Sequence, residues 1–318
     1  MGGLSSRREF VATGTAALAS LALGHDLAAE QLPRASERGR TRLILLGTAG
    51  GPTPKLNRAA PAQAIVIGGD TYVVDCGNGV ARQMAMARLR LGSIRAVFVT
   101  HHHSDHNADY GTLLLLAWGS DLKTPVSTFG PPPLVEMTRH FLAFSETDIR
   151  IRTADEGRPP LESLIQPTEI TDGGEVFRDR NVRVTAAVVD HPPLVPSLAY
   201  RFDSSDRSIV ISGDTRPSPA LVQLAQGADV LVHEVMHVSA IEPLIARESN
   251  ARTLREHLLA SHTTTEQVGR LATEAGVKTL VLSHFVPGFP FVSDQVWYDA
   301  VRPHFGGELI VGRDLLEI

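Results

Sequence analysis

The sequence predicts a four-layer α/β sandwich, helix–sheet–sheet–helix, in a single domain. Short apolar runs of β character alternate with helical stretches along the chain. The β runs come first and helices follow, and this pattern occurs twice, as expected for two sheets each covered by helices on one face. Hydrophobic residues make up 43% of the 318 residues and charged residues 20%. That supplies a sizeable core and excludes a disordered or collagen-like chain. Length alone suggests about two average domains, but a single α/β sandwich absorbs this much chain.

The elements follow in order. Leu43-Ile44-Leu45-Leu46 reads as a buried strand ending at Gly47. Ala64 to Ile67 and Tyr72 to Val74, joined by Gly68-Gly69-Asp70, form a hairpin. A helix is expected over 79–90, a strand over 96–100, a polar loop from His101 to Asp109 and a helix from Tyr110 to Trp118. Residues 119–180 carry weaker signals, with a break at Pro131-Pro132-Pro133 and a helix at 134–144. Strands at 182–189, 198–202 and 208–212 precede a helix at 218–226. Strand 229–233, helix 264–275, strand 279–283 and a last strand near 308–311 complete the order. No internal repeat interrupts it.

The first 36 residues are expected to stand outside this domain, leaving 37–318 as the catalytic unit. Ser6-Arg7-Arg8-Glu9-Phe10 precedes a mildly apolar run from Val11 to Gly24. The pattern resembles a twin-arginine export signal, which implies the export machinery as a partner and a periplasmic or secreted location. The run is too short to span a bilayer comfortably, so no stable membrane anchor is expected. Net charge is −5, from 30 Lys+Arg against 35 Asp+Glu. A phosphate-binding surface normally shows as a basic excess, so no nucleic-acid partner is expected on this ground. The lone Cys76 excludes an intramolecular disulfide and a thiolate cage, whereas 13 histidines point to imidazole chemistry.

That chemistry concentrates in Thr100-His101-His102-His103-Ser104-Asp105-His106, directly after an apolar strand. His101 and His103 alternate onto one side of an extended segment and offer two nitrogens to one cation. Asp105 and His106 turn toward a second point and offer an oxygen and a nitrogen there. His102 is expected to point away.

The His-x-His-x-Asp-His pattern resembles the signature of the metallo-β-lactamase superfamily, and the likeness spans nearly all of residues 42–312. Leu46-Gly47-Thr48-Ala49-Gly50-Gly51-Pro52 with Arg58, and Val74-Asp75-Cys76-Gly77-Asn78-Gly79 with Gln83, resemble the ribonuclease Z and type II arylsulfatase branch. Asn78 stands where that branch usually has glutamate, and Cys76 reads as a packed core thiol. The resemblance implies the metallo-β-lactamase fold and two divalent metal ions, zinc by default with manganese or iron as alternatives. It assigns His101, His103 and His191 to one ion, and Asp105, His106 and His284 to the other, with Asp214 bridging. It further implies His262, in Ser261-His262-Thr263-Thr264, as proton donor and Glu234, in Val232-His233-Glu234, as the group that orients it. With Asp105 these form the expected catalytic set, while His233 reads as structural and His237, His257 and His304 stay unassigned.

The resemblance thus implies a hydrolase in which the metal pair activates a water. An acidic, exported chain without an obvious Gly- and basic-rich arm in 131–180 is expected to act on small-molecule esters, foremost aryl or alkyl sulfates or phosphates in the manner of the arylsulfatases. Lactones, β-lactams or carboxyl esters are the alternative. A non-catalytic zinc- or ligand-binding envelope protein is the third reading, and the proton donor argues against it. Trp118, Phe285, Phe289 and the loop Pro192 to Pro196 are expected to wall the substrate site, and a homodimer is the expected assembly.

Overall fold

Alternation along the strands decides the architecture, because successive side chains point to opposite faces and both faces here are apolar. A computed structural model describes residues 40–248 and 250–318; the leader expected over 1–36 lies outside the described residues. Among these, β1 (Arg42–Gly47), β2 (Ala62–Ile67), β3 (Asp70–Val74), β4 (Ile94–Phe98), β5 (Val126–Gly130) and β6 (Ile165–Glu169) form one six-stranded sheet in chain order. Its first three strands run antiparallel and the rest parallel. The second sheet has seven strands: β7 (Gly174–Arg178), β8 (Val182–His191), β9 (Leu194–Ser204), β10 (Ser208–Ile211), β11 (Val230–Met236), β12 (Thr279–Val286) and β13 (Glu308–Val311). It is antiparallel from β7 to β10 and parallel from β10 to β13.

The helices are α1 (Val80–Met86), α2 (Ser104–Asn107), α3 (Tyr110–Gly119), α4 (Leu134–Phe144), α5 (Glu146–Glu156), α6 (Pro219–Ala225), α7 (Glu242–Arg247), α8 (Leu254–Ser261), α9 (Thr265–Ala275) and α10 (Asp294–Val301). Leu43, Leu45, Ile65, Tyr72 and Phe98 of the first sheet meet Val184, Tyr200, Phe202 and Val281 of the second in the central core. Their strand neighbours Ile44, Leu46, Val73 and Val97 face outward onto Met84, Leu113 and Trp118 of α1 and α3. Val210, Leu231 and Leu280 likewise face Leu221, Val268 and Trp297 of α6, α9 and α10. The four αββα layers are therefore those expected from the sequence.

Several elements differ from the expectation. The segment 119–180 holds β5, α5, β6 and β7 besides the expected α4. β6 reads Ile-Gln-Pro-Thr-Glu and lies at the sheet edge, where a polar, proline-bearing strand is tolerated and leaves no apolar signature. The polar loop after β4 contains the single turn α2. Helices α7, α8 and α10 were not expected, and α9 carries a complete capping box between Thr264 and Gln267.

Candidate metal centre

The expected ligands stand at the carboxyl ends of strands from both sheets, where chain direction changes and side chains are free to converge. His101 and His103 follow β4 in extended conformation, and α2 then turns Asp105 and His106 back toward them. His191 is the last residue of β8, and Asp214 follows β10 after Gly213. Gly213 has φ +59°, and a Cβ there would stand 2.7 Å from the Leu198 carbonyl oxygen, so the turn aiming Asp214 requires glycine. His284 is the extra residue of a bulge in β12: Glu234 pairs with Ser283 and Val235 with Phe285. Its φ of 43° is uncommon for a residue with a Cβ and lets the ring leave the sheet plane.

The side chains form two clusters that share a carboxylate. Ligand atoms of His101, His103, His191 and Asp214 lie within 4.8 Å of one another, as do those of Asp105, His106 and His284. The His103 Nδ1 is 3.1 Å from the Nε2 atoms of both His101 and His191. Asp214 Oδ2 is 3.9 Å from His101 Nε2 and 4.0 Å from His191 Nε2. On the other side, Asp214 lies 3.1 Å from His284 Nε2 and 3.4 Å from His106 Nε2. Asp105 Oδ2 lies 3.4 Å from His284 Nε2 and 3.6 Å from His106 Nε2. Zinc-to-nitrogen bonds of about 2.0–2.1 Å give a tetrahedral edge of about 3.3–3.4 Å, which these separations bracket. His106 Nε2 and Asp214 Oδ1 are buried without a hydrogen-bond partner, an arrangement that costs free energy unless a cation is shared there. The donor set fits divalent metal.

Electrostatics agree. Burial pushes His101 and His191 below the usual imidazole range and His103 to about 4, which favours the neutral ring that ligates. Burial alone would raise the Asp105 and Asp214 carboxyls, but the facing histidines hold both well below their ordinary range. His106 behaves oppositely: burial opposes its charge, yet Asp214, Asp75 and Asp105 together raise it well above the imidazole range.

An outer layer fixes the rings. His106 Nδ1 is 2.7 Å from Asp75 Oδ2, and the same carboxylate accepts hydrogen bonds from the Thr100 N–H at 2.8 Å and hydroxyl at 3.0 Å. His101 Nδ1 contacts Thr100 Oγ1, and the His191 Nδ1–H donates to the Ser261 carbonyl at 2.9 Å. Asp105 Oδ2 accepts from the Gly51 N–H at 2.9 Å. The roles of Asp75 and Thr100 were not read from the sequence. A lone aspartate ending a strand was the available signal, but its partners lie 25 and 31 positions on. Such contacts orient ligands and tune their basicity. Cys76 is a buried core thiol as expected, and Asn78 is exposed. His102 points away, onto the Pro131 carbonyl.

His262 and Glu234 meet beside the clusters. Glu234 Oε1 lies 3.1 Å from His262 Nδ1 and accepts the Thr215 and Thr263 N–H groups at 3.1 Å each. Burial opposes a charge on His262, but the Glu234 carboxylate overcomes it and raises the ring to about 9. A His262 ring nitrogen lies within 4.8 Å of ligating atoms of Asp214 and His284. His233 is buried and bonds the Glu234 carbonyl, in keeping with a structural role. Of these groups, His103, Asp105, Asp214, His262 and His284 open onto a cleft of about 340 Å³. Phe289 lines it, as does His257 of α8, which the sequence left unassigned. Trp118 and Phe285 do not: both are buried in the cores, Trp118 donating to the Pro159 carbonyl and Phe285 packing on Trp297. Pro192 and Pro193 form the β8–β9 turn and Leu194 to Pro196 open β9, all outside the cleft lining.

A two-sheet sandwich with a His/Asp centre at its strand ends defines a metal-dependent hydrolase. Residues 70–285 match the family described as Beta-lactamase superfamily domain. The ribonuclease Z of Mycolicibacterium gilvum is 34% identical over 276 residues, covering 86% of this chain and 94% of the relative. That of Mycobacterium marinum is 33% identical over 276 residues, covering 86% and 96%. Among solved structures, the metallo-beta-lactamase fold protein YhfI from Bacillus subtilis superposes with TM-score 0.66 at 19% identity, covering 87% of this chain and 98% of that one. Human tRNase Z, short form, gives 0.64 at 22%, again covering 87% and 98%. The chain belongs to the beta-lactamase superfamily, in the branch that holds the ribonuclease Z proteins.

These relatives overturn two expectations. The substrate is not read as a small aryl or alkyl ester of sulfate or phosphate, nor as a lactone, β-lactam or carboxyl ester, and a nucleic-acid partner is no longer excluded, because proteins so similar over most of their length are named as ribonucleases. Net charge misleads here. A value of −5 balances every Lys and Arg of the chain against every Asp and Glu, whereas attraction for phosphate is a local matter, set in a cleft by any bound cation and by neighbouring side chains such as Lys55 and Arg247. The missing arm failed likewise, since it bears on how RNA is gripped and not on whether a phosphodiester is cut.

Proposed function

We propose that this chain is a zinc-dependent ribonuclease that hydrolyses phosphodiester bonds of RNA at a dinuclear centre. The observation that carries the reading is the pair of ligand clusters sharing Asp214, in a chain 34% identical over 86% of its length to a ribonuclease Z. His101, His103 and His191 would hold one ion, Asp105, His106 and His284 the other, and Asp214 both. Imidazole and carboxylate donors without thiolate suit zinc. Two such ions, when bound, activate water and neutralise charge on the phosphate.

The chain's own residues supply the rest. Glu234 Oε1 holds the His262 Nδ1–H at 3.1 Å, which leaves Nε2 to carry the transferable proton. As the phosphorus–oxygen bond breaks, that proton passes to the departing oxygen. Asp105, held by the Gly51 N–H, and His106, held by Asp75, keep their ligand faces turned inward throughout. Apolar side chains of the cleft wall, Leu254, Leu258 and Val286, limit water access to the reacting phosphate.

The test is an incubation of metal-loaded protein with a transfer RNA precursor, with gel analysis of products. Cleavage that a chelator abolishes, zinc restores and Asp214→Ala lacks is expected. Intact RNA under metal-loaded conditions contradicts the reading.

A further inference from the structure

The cleft mouth holds two aromatic rings with no part in the cores. Phe289 lines the cleft, and its ring stacks on Phe291 with centroids 5.4 Å apart and planes inclined 26°. Phe291 is 51% exposed, and neither ring is among the buried residues packed between layers. Two cations converge on the inner ring: the Arg247 guanidinium lies 5.0 Å from the Phe289 centroid and Lys55 Nζ 5.4 Å. Exposing two stacked phenyl rings to water is unfavourable for folding, and core packing gives no reason for it.

The chemistry of the group is specific. A planar nucleobase continues an aromatic stack whatever its identity, and cations at the rim take the adjoining backbone phosphate. Glu248 lines the same cleft and offsets part of the positive charge, so phosphate binding there depends on both cations. We propose that Phe291 and Phe289, with Arg247 and Lys55, form a subsite for one unpaired nucleotide of RNA flanking the scissile phosphate. This rests on the ribonuclease reading above and adds what the enzyme requires of its substrate: a single-stranded nucleotide beside the cut, read by its face and not by its sequence.

The experiment is a cycle between protein and RNA variants, with metal-loaded enzyme and precursors in which each unpaired nucleotide near the cleavage site is made abasic in turn. Phe291→Ala should keep its metal content and melting temperature, because the side chain is exposed. It should raise KM about tenfold and change kcat by less than about twofold, the loss expected for one stacked base. At one position the abasic RNA should cost wild type a similar factor and Phe291→Ala nothing further, while substituting one base for another there should have little effect. Wild-type cleavage with Phe291→Ala indistinguishable, or abasic losses equal in both proteins at every position, overturns the subsite and leaves the ribonuclease reading standing. Wild-type protein that neither binds nor cuts the RNA overturns both.

Discussion

His262 stands where two roles, ligation and proton transfer, can be told apart. It lies within reach of Asp214 and His284, yet its Nδ1 is committed to Glu234 at 3.1 Å. If it is the proton donor, His262→Ala keeps full metal content while RNA cleavage falls by about 10²–10⁴. Replacing the leaving oxygen by sulfur should restore most of that loss, since a thiolate departs without a proton. Equal damage on both substrates, or missing metal, assigns His262 to ligation instead. Its titration gives a second check on the metal-free protein. Burial opposes the charge, but Glu234 raises the ring to about 9, above the ordinary 6.5. A raised value means that the charged pair adds stability fully below about pH 6.5 and loses it as pH rises through 9. By NMR, His262 should titrate near pH 9, and Glu234→Gln should bring it down toward or below 6.5; an unchanged titration removes Glu234 as the cause. The candidate ligands within His101 to His106 were legible because one strand end delivers them all. His191, Asp214, His262 and His284 came only by likeness to a family. Asp75 escaped, since a carboxylate whose value lies in a partner 31 residues away leaves no local mark.

At the scale of elements, the bulge of β12 and the turn after β10 decide whether the clusters close. Both depend on positive φ: 43° at His284 and 59° at Gly213. Gly213→Ala forces a Cβ to within 2.7 Å of the Leu198 carbonyl in a strained conformation. It should cost about 1–3 kcal/mol in denaturant unfolding of the metal-free protein and weaken metal binding besides. Unchanged stability in that variant would show that the turn relaxes and that glycine is not required. Strands buried on both faces, such as β2 with Ala-Gln-Ala-Ile-Val-Ile, were readable as apolar runs. Edge strands β6 and β7 were not, because a strand with one covered face and an open edge has no such run. Helices α7 and α8 were missed for a related reason: they pack a small separate cluster of Met236, Ile241, Leu258 and Val286 over the cleft, and their apolar periodicity is short.

For the whole molecule, composition served the fold better than it served the substrate. The apolar fraction foretold a large core, but a net charge summed over the surface misjudged a cleft where cations converge. The leader over residues 1–36 stays a proposal: replacing Arg7 and Arg8 by lysine should hold the protein inside the cell, and continued export means that the pair is not a signal. Whether two metal ions spanned by Asp214 cut RNA is decided by titrating metal-stripped protein with zinc while cleavage of a transfer RNA precursor is followed. Activity should climb to a plateau at about two equivalents of metal per chain, one for each cluster. A plateau at one equivalent, or cleavage indifferent to zinc, would contradict it.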